Sequence, residues 1–302
     1  SPSEEPHLVD LQYFPLPGVS IDEIDTPAII VDLDVAEGNI ATLQAFGDAN
    51  GTSIRPHSKT HKSPVFARKQ IEAGAIGICC AKVGEAEAMV AGGVKNILIP
   101  NQVVGAIKIK RLVALASEAN IVIAADDPDN VKAISAAMSG AGKEIGMIVE
   151  VNVGMNRCGV DGDGAVELAK QVESASGLRF DGVMGYEGHL MMASAEKKAG
   201  AVEKSMADLL RAAEMVGAAK GIVSAGGTGT YDVNVWANEI QAGSYCLLDS
   251  DYAKLDSPFE IALTVMGTII SRNVNGWAVA DAGLKSLGMD HGDPTWPGGD
   301  LF

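Results

Sequence analysis

Residues 121–151, IVIAADDPDNVKAISAAMSGAGKEIGMIVEV, carry the pattern that decides the fold. Ile121–Ala124 and Ile145–Val151 are apolar at successive positions, which suits strands buried on both faces. Pro128–Ser139 between them is rich in alanine with a helical period. Strand, helix and strand in that order form one repeat of a helix-covered parallel sheet. The alternation extends in both directions. Strands are expected near Ala28–Asp32, Ser53–Arg55, Ile76–Cys80 and Asn96–Ile99 before it, and near Phe180–Gly185, Gly221–Ser224 and Ser244–Leu248 after it. Helices are expected over Ala36–Ala49, Pro64–Ala73, Gly84–Ala91, Ala106–Glu118, Gly164–Ala175 and Ala195–Val216. About eight such units in some 230 residues match a closed (β/α)8 barrel of the TIM type, typically ~250 residues long. No GxGxxG stands between a first strand and its helix, as a doubly wound dinucleotide-binding sheet would require.

Past the barrel the pattern changes. Phe259–Ser271 and Trp277–Ala282 are strand-like, with a turn-forming stretch at Asn273–Gly276 and no helix between them. This predicts the start of a mainly β second domain. The expected division is an N-terminal segment over 1–25 packing on that second domain, a barrel over 26–255, and the beginning of the β domain over 256–302.

The chain has 302 residues, 47% hydrophobic and 21% charged, an ordinary globular composition. A net charge of −16 argues against nucleic acid as the main partner. No run approaches the ~18 apolar residues of a membrane span, and Ser1–Gly18 has no apolar signal core. Cys79, Cys80, Cys158 and Cys246 include an adjacent pair and no CxxC, which points to reduced thiols and a cytoplasmic location.

Barrels place their chemistry in the loops after the strands. The second strand runs into Arg55-Pro56-His57-Ser58-Lys59-Thr60-His61-Lys62. Pro56 excludes a helix interior and biases Arg55 toward extended backbone. A lysine crowded by cations favours its neutral amine, the form that makes a Schiff base; a basic loop without catalytic function is the alternative. Later loops contribute Lys82, Asn101, Gln102, Asn152, Asn156, Arg157, Tyr186, Glu187 and His189, and the last contributes Gln241, Ser244 and Tyr245. Ser224-Ala225-Gly226-Gly227-Thr228-Gly229-Thr230 follows the next-to-last barrel strand, where backbone N–H groups and hydroxyls can surround a phosphate. A reactive lysine early and a phosphate cradle late suggest pyridoxal phosphate.

The strings TPAIIVDLD, RPHSKTHK, VNVGMNRCGV, GYEGH, SAGGTGT, QAGSY and DAGLKSLGMD occur in that order from Thr26. Together they resemble the D-threonine aldolase and D-serine dehydratase group of fold-type III, alanine-racemase-like pyridoxal phosphate enzymes. The resemblance implies Lys59 as the Schiff-base lysine, Arg157 beside the cofactor's phenolic oxygen, and Tyr186 beside its ring. It also implies a phosphate held by Thr228, Gly229 and Ser224 or Thr230, with Gly227 in the same loop, Gln241 and Ser244 nearby, and the Tyr245 hydroxyl close by. His61 and His189 are candidate bases or orienting groups. The implied reaction is cleavage of D-β-hydroxy-α-amino acids to glycine and an aldehyde, assisted by a divalent cation (Mn or Mg). Dehydration of D-serine or D-3-hydroxyaspartate is the alternative, ahead of a racemase or a non-catalytic cofactor carrier. A homodimer is expected on the same ground. Members of the group carry a His-x-Asp or His-x-Cys metal site in a larger β domain, so the metal ligands are expected beyond Phe302. His291 and Asp293 have the His-x-Asp spacing but match an earlier loop.

Overall fold

The computed structural model describes residues 15–218, 221–272, 274–290 and 292–296. The chain divides into two units, one spanning Leu33–Ala262 and one formed by the segments that flank it. The larger unit is the barrel. Its strands are β2 (Ser53–Ile54), β3 (Ile78–Cys79), β4 (Asn96–Gln102), β5 (Asn120–Ala125), β6 (Ile145–Glu150), β7 (Leu178–Met184), β8 (Ile222–Ala225) and β9 (Glu239–Ile240). They pair in parallel in the order β2-β9-β8-β7-β6-β5-β4-β3. The two ends of that sheet meet: Ile76 N–H donates to Ile54 O, Cys79 N–H to Pro56 O and Ser58 N–H to Cys79 O, at 2.8–2.9 Å, closing the barrel.

The helices are α1 (Leu33–Asn50), α2 (Pro64–Glu72), α3 (Val83–Ala91), α4 (Ala106–Leu115), α5 (Pro128–Gly140), α6 (Gly162–Ser174) and α7 (Ala195–Met215). Helix α5 shows how the sequence writes them. Asp127 caps it by accepting from the N–H groups of Asp129 and Asn130, Pro128 opens it, and Val131, Ile134 and Met138 form its buried stripe. Inside the barrel, Cys79, Leu98, Val122, Ala124, Ile148 and Met184 form one buried cluster, so the interior is packed rather than open. Cys79 and Cys80 are fully buried, and all the cysteines are free thiols.

Two strand expectations are corrected. The Ala28–Asp32 run forms β1 (Ala28–Val31), which pairs antiparallel with β10 (Leu263–Met266) in the flanking unit and takes no place in the barrel. Ile29 is 69% exposed, incompatible with a strand covered on both faces. The Ser244–Leu248 run is apolar because it is buried, but it forms a turn of 3-10 helix over Ser244–Cys246. The last barrel strand is β9, two residues long and led by a glutamate. In the flanking unit, β11 (Ile269–Arg272) and β12 (Ala278–Ala280) form an antiparallel pair. Asp281 accepts there from Thr26 Oγ1 at 2.6 Å and from the Thr268 N–H at 2.8 Å. Among the described residues, no helix is long and apolar enough to cross a membrane.

Candidate active site

Lys59 leaves the sheet from a segment knitted on both sides. Arg55 N–H and His57 N–H donate to Ile240 O and Ala242 O, while the opposite edge holds Cys79. The chain then turns sharply, with Lys62 N–H on Ser58 O and Lys62 at φ 51°, before Ser63 caps α2. Lys59 Nζ lies 5.6 Å from the centroid of the Tyr186 ring, and Arg157 Cζ lies 5.6 Å from the same centroid. Lys59 has high solvent exposure because it opens onto a cavity, yet protein surrounds its ammonium on most sides. This burial lowers its pKa, and the Arg157 charge lowers it further.

The cavity is lined by His57, Lys59, Pro100, Arg157, Met184, Tyr186, Gly227, Thr228, Gln241, Gly243, Ser244 and Tyr252. Arg157 is carried on a braced loop after β6. Asn152 Oδ1 accepts from the N–H groups of Gly154 and Asn156 at 3.1 Å. Asp126 Oδ2 accepts from Gly159 N–H at 2.9 Å. Burial, then the Lys59, His61 and Arg157 charges, pull the His57 pKa down to about 3, so this imidazole is neutral near pH 7. Burial likewise pushes the Tyr186 hydroxyl up to about 12.

The rest of the lining comes from two loops, tightly packed at their glycines: a Cβ on Gly227 would meet Met191 Sδ at 2.7 Å, and one on Gly243 would meet His57 O at 2.9 Å. Gly227 N–H is taken by Thr230 Oγ1, and Tyr245 N–H donates to Thr228 Oγ1. Among the described residues, no protein acceptor meets the backbone N–H groups of Thr228, Gly229, Gly243 or Ser244. Donors left over on two adjacent loops, in one cavity with a lysine and an arginine, suit the phosphate of pyridoxal phosphate, which only accepts.

Several candidate residues stand behind this wall rather than in it. Ser224 is fully buried; its Oγ donates to Glu239 Oε1 at 2.7 Å and accepts from Gln241 Nε2 at 2.8 Å. Thr230 Oγ1 donates to Glu187 Oε1 at 2.7 Å. The Tyr245 hydroxyl accepts from Gln70 Nε2 at 3.0 Å, in the core rather than the cavity, and burial raises its pKa. His61 has both ring nitrogens engaged: Nδ1 accepts from Ser63 N–H at 3.0 Å and Nε2 faces Gln70 Oε1 at 3.3 Å. Burial lowers its pKa to about 4. His189 is exposed on the turn after β7, beside Gly154. Asp293 is exposed in a loop, and His291 lies outside the described residues.

Residues to which the sequence assigned no role in the site also matter. Tyr252 and Pro100 line the cavity. Buried Arg55 and Glu239 pair at 2.8 Å, and Glu187 is fully buried. Buried Glu150, its pKa raised by desolvation, accepts from Gln102 and comes together with Asp126 and Cys158. That trio is the group of possible metal ligands among the described residues, but none of its members lines the cavity. A carboxylate behind the sheet has the sequence signature of a surface residue, so only the three-dimensional arrangement reveals it.

The fold and site together define a parallel (β/α)8 barrel with a lysine and a glycine-rich loop lining one cavity at the C-terminal ends of its strands. More particularly, the chain belongs to the alanine racemase N-terminal domain family, whose pattern matches residues 31–250. It is 38% identical to a D-threonine aldolase from Arthrobacter sp over 294 residues, covering 92% of this chain and 77% of that protein. It is 37% identical to a 3-hydroxy-D-aspartate aldolase from Paracoccus denitrificans, covering 94% and 79%. The crystal structure of a D-threonine aldolase from Filomicrobium marinum superimposes with a TM-score of 0.87 at 38% identity, covering 90% of this chain and 76% of that one.

Proposed function

We propose that this protein is a pyridoxal phosphate-dependent carbon–carbon lyase that cleaves D-β-hydroxy-α-amino acids of the D-threonine type into glycine and an aldehyde. The observation that carries the reading is the convergence of Lys59 and Arg157 on Tyr186, in one cavity with the unpartnered amides of the loops after β8 and β9. The relatives named above support the aldolase chemistry.

When bound, pyridoxal phosphate supplies an electron sink next to the substrate Cα for the pair released as the Cα–Cβ bond breaks. Lys59 is the residue that would hold it, and its lowered pKa favours the uncharged nucleophilic amine. The amides of Thr228, Gly229, Gly243 and Ser244 would hold the phosphate, with Arg157 placing a positive charge in the same cavity. Tyr186 forms a wall and, with its hydroxyl pushed up to about 12, stays neutral, limiting how strongly the ring nitrogen is protonated. The substrate's β-hydroxyl proton needs a base. His189, exposed on the turn after β7, is the histidine we assign to it, because His61 is fully engaged in the core network. A divalent cation belongs to the proposal on family grounds; the Asp126–Glu150–Cys158 group lies off the cavity lining, and no step is assigned to it.

The test is incubation of the protein with pyridoxal phosphate, a divalent ion and D-threonine. Glycine with acetaldehyde is the expected result. A 2-oxo acid with ammonia would instead mean dehydration, and the L-enantiomer alone would mean racemisation. A Lys59→Ala protein that still gives a borohydride-trapped cofactor adduct would overturn the assignment of the site.

A further inference from the structure

Glu187 carries a carboxylate into the barrel's interior without a cation to meet it. The residue is fully buried, and every partner it has is neutral. Oε2 accepts from Gly226 N–H at 3.1 Å. Oε1 accepts from Thr230 Oγ1 at 2.7 Å and from Asn234 Nδ2 at 2.9 Å. Buried carboxyl oxygens need donors to satisfy them, so the three that converge on Glu187 are fixed in place.

The hydrogen bonds also have a direction. Thr230 Oγ1 donates to Glu187 Oε1, so the hydroxyl's one hydrogen is committed to Glu187. The hydroxyl oxygen is then left to accept, and Gly227 N–H donates to it at 3.1 Å. Glu187 thereby occupies Gly226 directly and Gly227 through Thr230. The amides of Thr228 and Gly229, next along the loop, are the ones left without a protein acceptor among the described residues. Glu187 also immediately follows Tyr186, the side chain between Lys59 and Arg157.

We propose that Glu187 is the positioning residue for the phosphate cradle: it holds the loop after β8 in the one arrangement that presents Thr228 and Gly229 amides to the anion, and locks that loop to the Tyr186 wall. The inference rests on the reading of the cavity as a pyridoxal phosphate site. The Glu187 side chain acts from behind the loop, so it shapes the donors without meeting the anion.

The experiment compares binding of pyridoxal phosphate and of pyridoxal, which lacks the phosphate, to wild-type and Glu187→Gln protein. Visible absorbance and borohydride trapping at Lys59 provide the readouts. In the variant, the Kd for pyridoxal phosphate is expected to rise tenfold or more while the Kd for pyridoxal changes less than twofold, and the 31P resonance of the bound phosphate shifts. Because Glu187→Gln could impair folding, Thr230→Val and Thr230→Ser form a second pair. Valine removes the link and should reproduce the selective loss; serine keeps the hydroxyl and should not. Unchanged preference for the phosphorylated form in both Glu187→Gln and Thr230→Val, or equal weakening of both ligands, would overturn the role of Glu187. Wild-type protein that fails to take pyridoxal phosphate at Lys59 would instead overturn the underlying reading of the site.

Discussion

The two walls of the cavity are built by opposite means. On one side, Lys59 and Arg157 project their own charges into the space, and burial together with mutual repulsion weakens the charge on Lys59. On the other side, the donors are backbone amides, and the carboxyl groups of Glu187 and Glu239 stand behind them, fully or almost fully buried. A side chain that must react has to enter the cavity. A side chain that must hold a loop still works better from behind it, where low dielectric strengthens its hydrogen bonds. The contrast teaches that reactivity and preorganisation are assigned to different layers of the same barrel.

The reactive wall should show the largest effect. Lys59→Ala is expected to lower D-threonine cleavage by roughly 10⁴-fold or more, with loss of the trapped adduct and little change in the unfolding midpoint. A comparable loss of stability would mean that Lys59 also supports the fold, and would blur the contrast. The supporting layer should respond in stability instead. Arg55→Met leaves Glu239 buried without its cation and is expected to cost about 3–5 kcal/mol in denaturant unfolding. Arg55→Met with Glu239→Met should recover part of that loss, since two apolar groups leave no unpaired charge.

Acid should separate the walls as well. In the folded chain the His57 pKa is about 3 and that of His61 about 4, against 6.5 for the ordinary imidazole. Between those values the unfolded chain binds more protons, so unfolding free energy is whole above pH 6.5 and declines as the pH falls toward 3. Denaturant titrations across that window should show the slope, and His57→Asn should flatten it. An unaltered slope would move the acid sensitivity away from this wall.

The same division explains what could be read in the sequence. Lys59 stood out because cations bunch in Arg55–Lys62 after an apolar run, Arg157 through the resemblance carried by VNVGMNRCGV, and the glycine-rich loop because Ser224–Thr230 has turn and donor chemistry at a barrel's anion-binding end. Ala28–Val31 misled because a short apolar run does not reveal its partner, which lies in Leu263–Met266. Glu239–Ile240 was hidden because it is two residues long and begins with a charge that only its pairing with Arg55 makes tolerable inside a sheet. Tyr245, Ser224 and Thr230 have the right chemistry for a phosphate site, yet side-chain direction is decided by packing, and each is directed to a protein partner instead.

The smallest effect is expected where the layers meet, at Ser224. Arg55 pairs with Glu239, Glu239 takes the Ser224 hydrogen, and the Ser224 oxygen can then only accept from Gln241 Nε2. The polarity of a cavity-lining amide is thus set from the barrel core, three residues away along hydrogen bonds. Ser224→Ala removes the middle link without opening a large void and is expected to cost about 1–2 kcal/mol of stability. Freed from the serine, Gln241 can turn its amide either way, so pyridoxal phosphate affinity should fall a few-fold in a spectrophotometric titration. A variant that loses stability but binds the cofactor as wild type does would show that Gln241 is held by the cavity itself. The core ion pair would then serve only the barrel, and the division between the reactive and supporting layers would be complete.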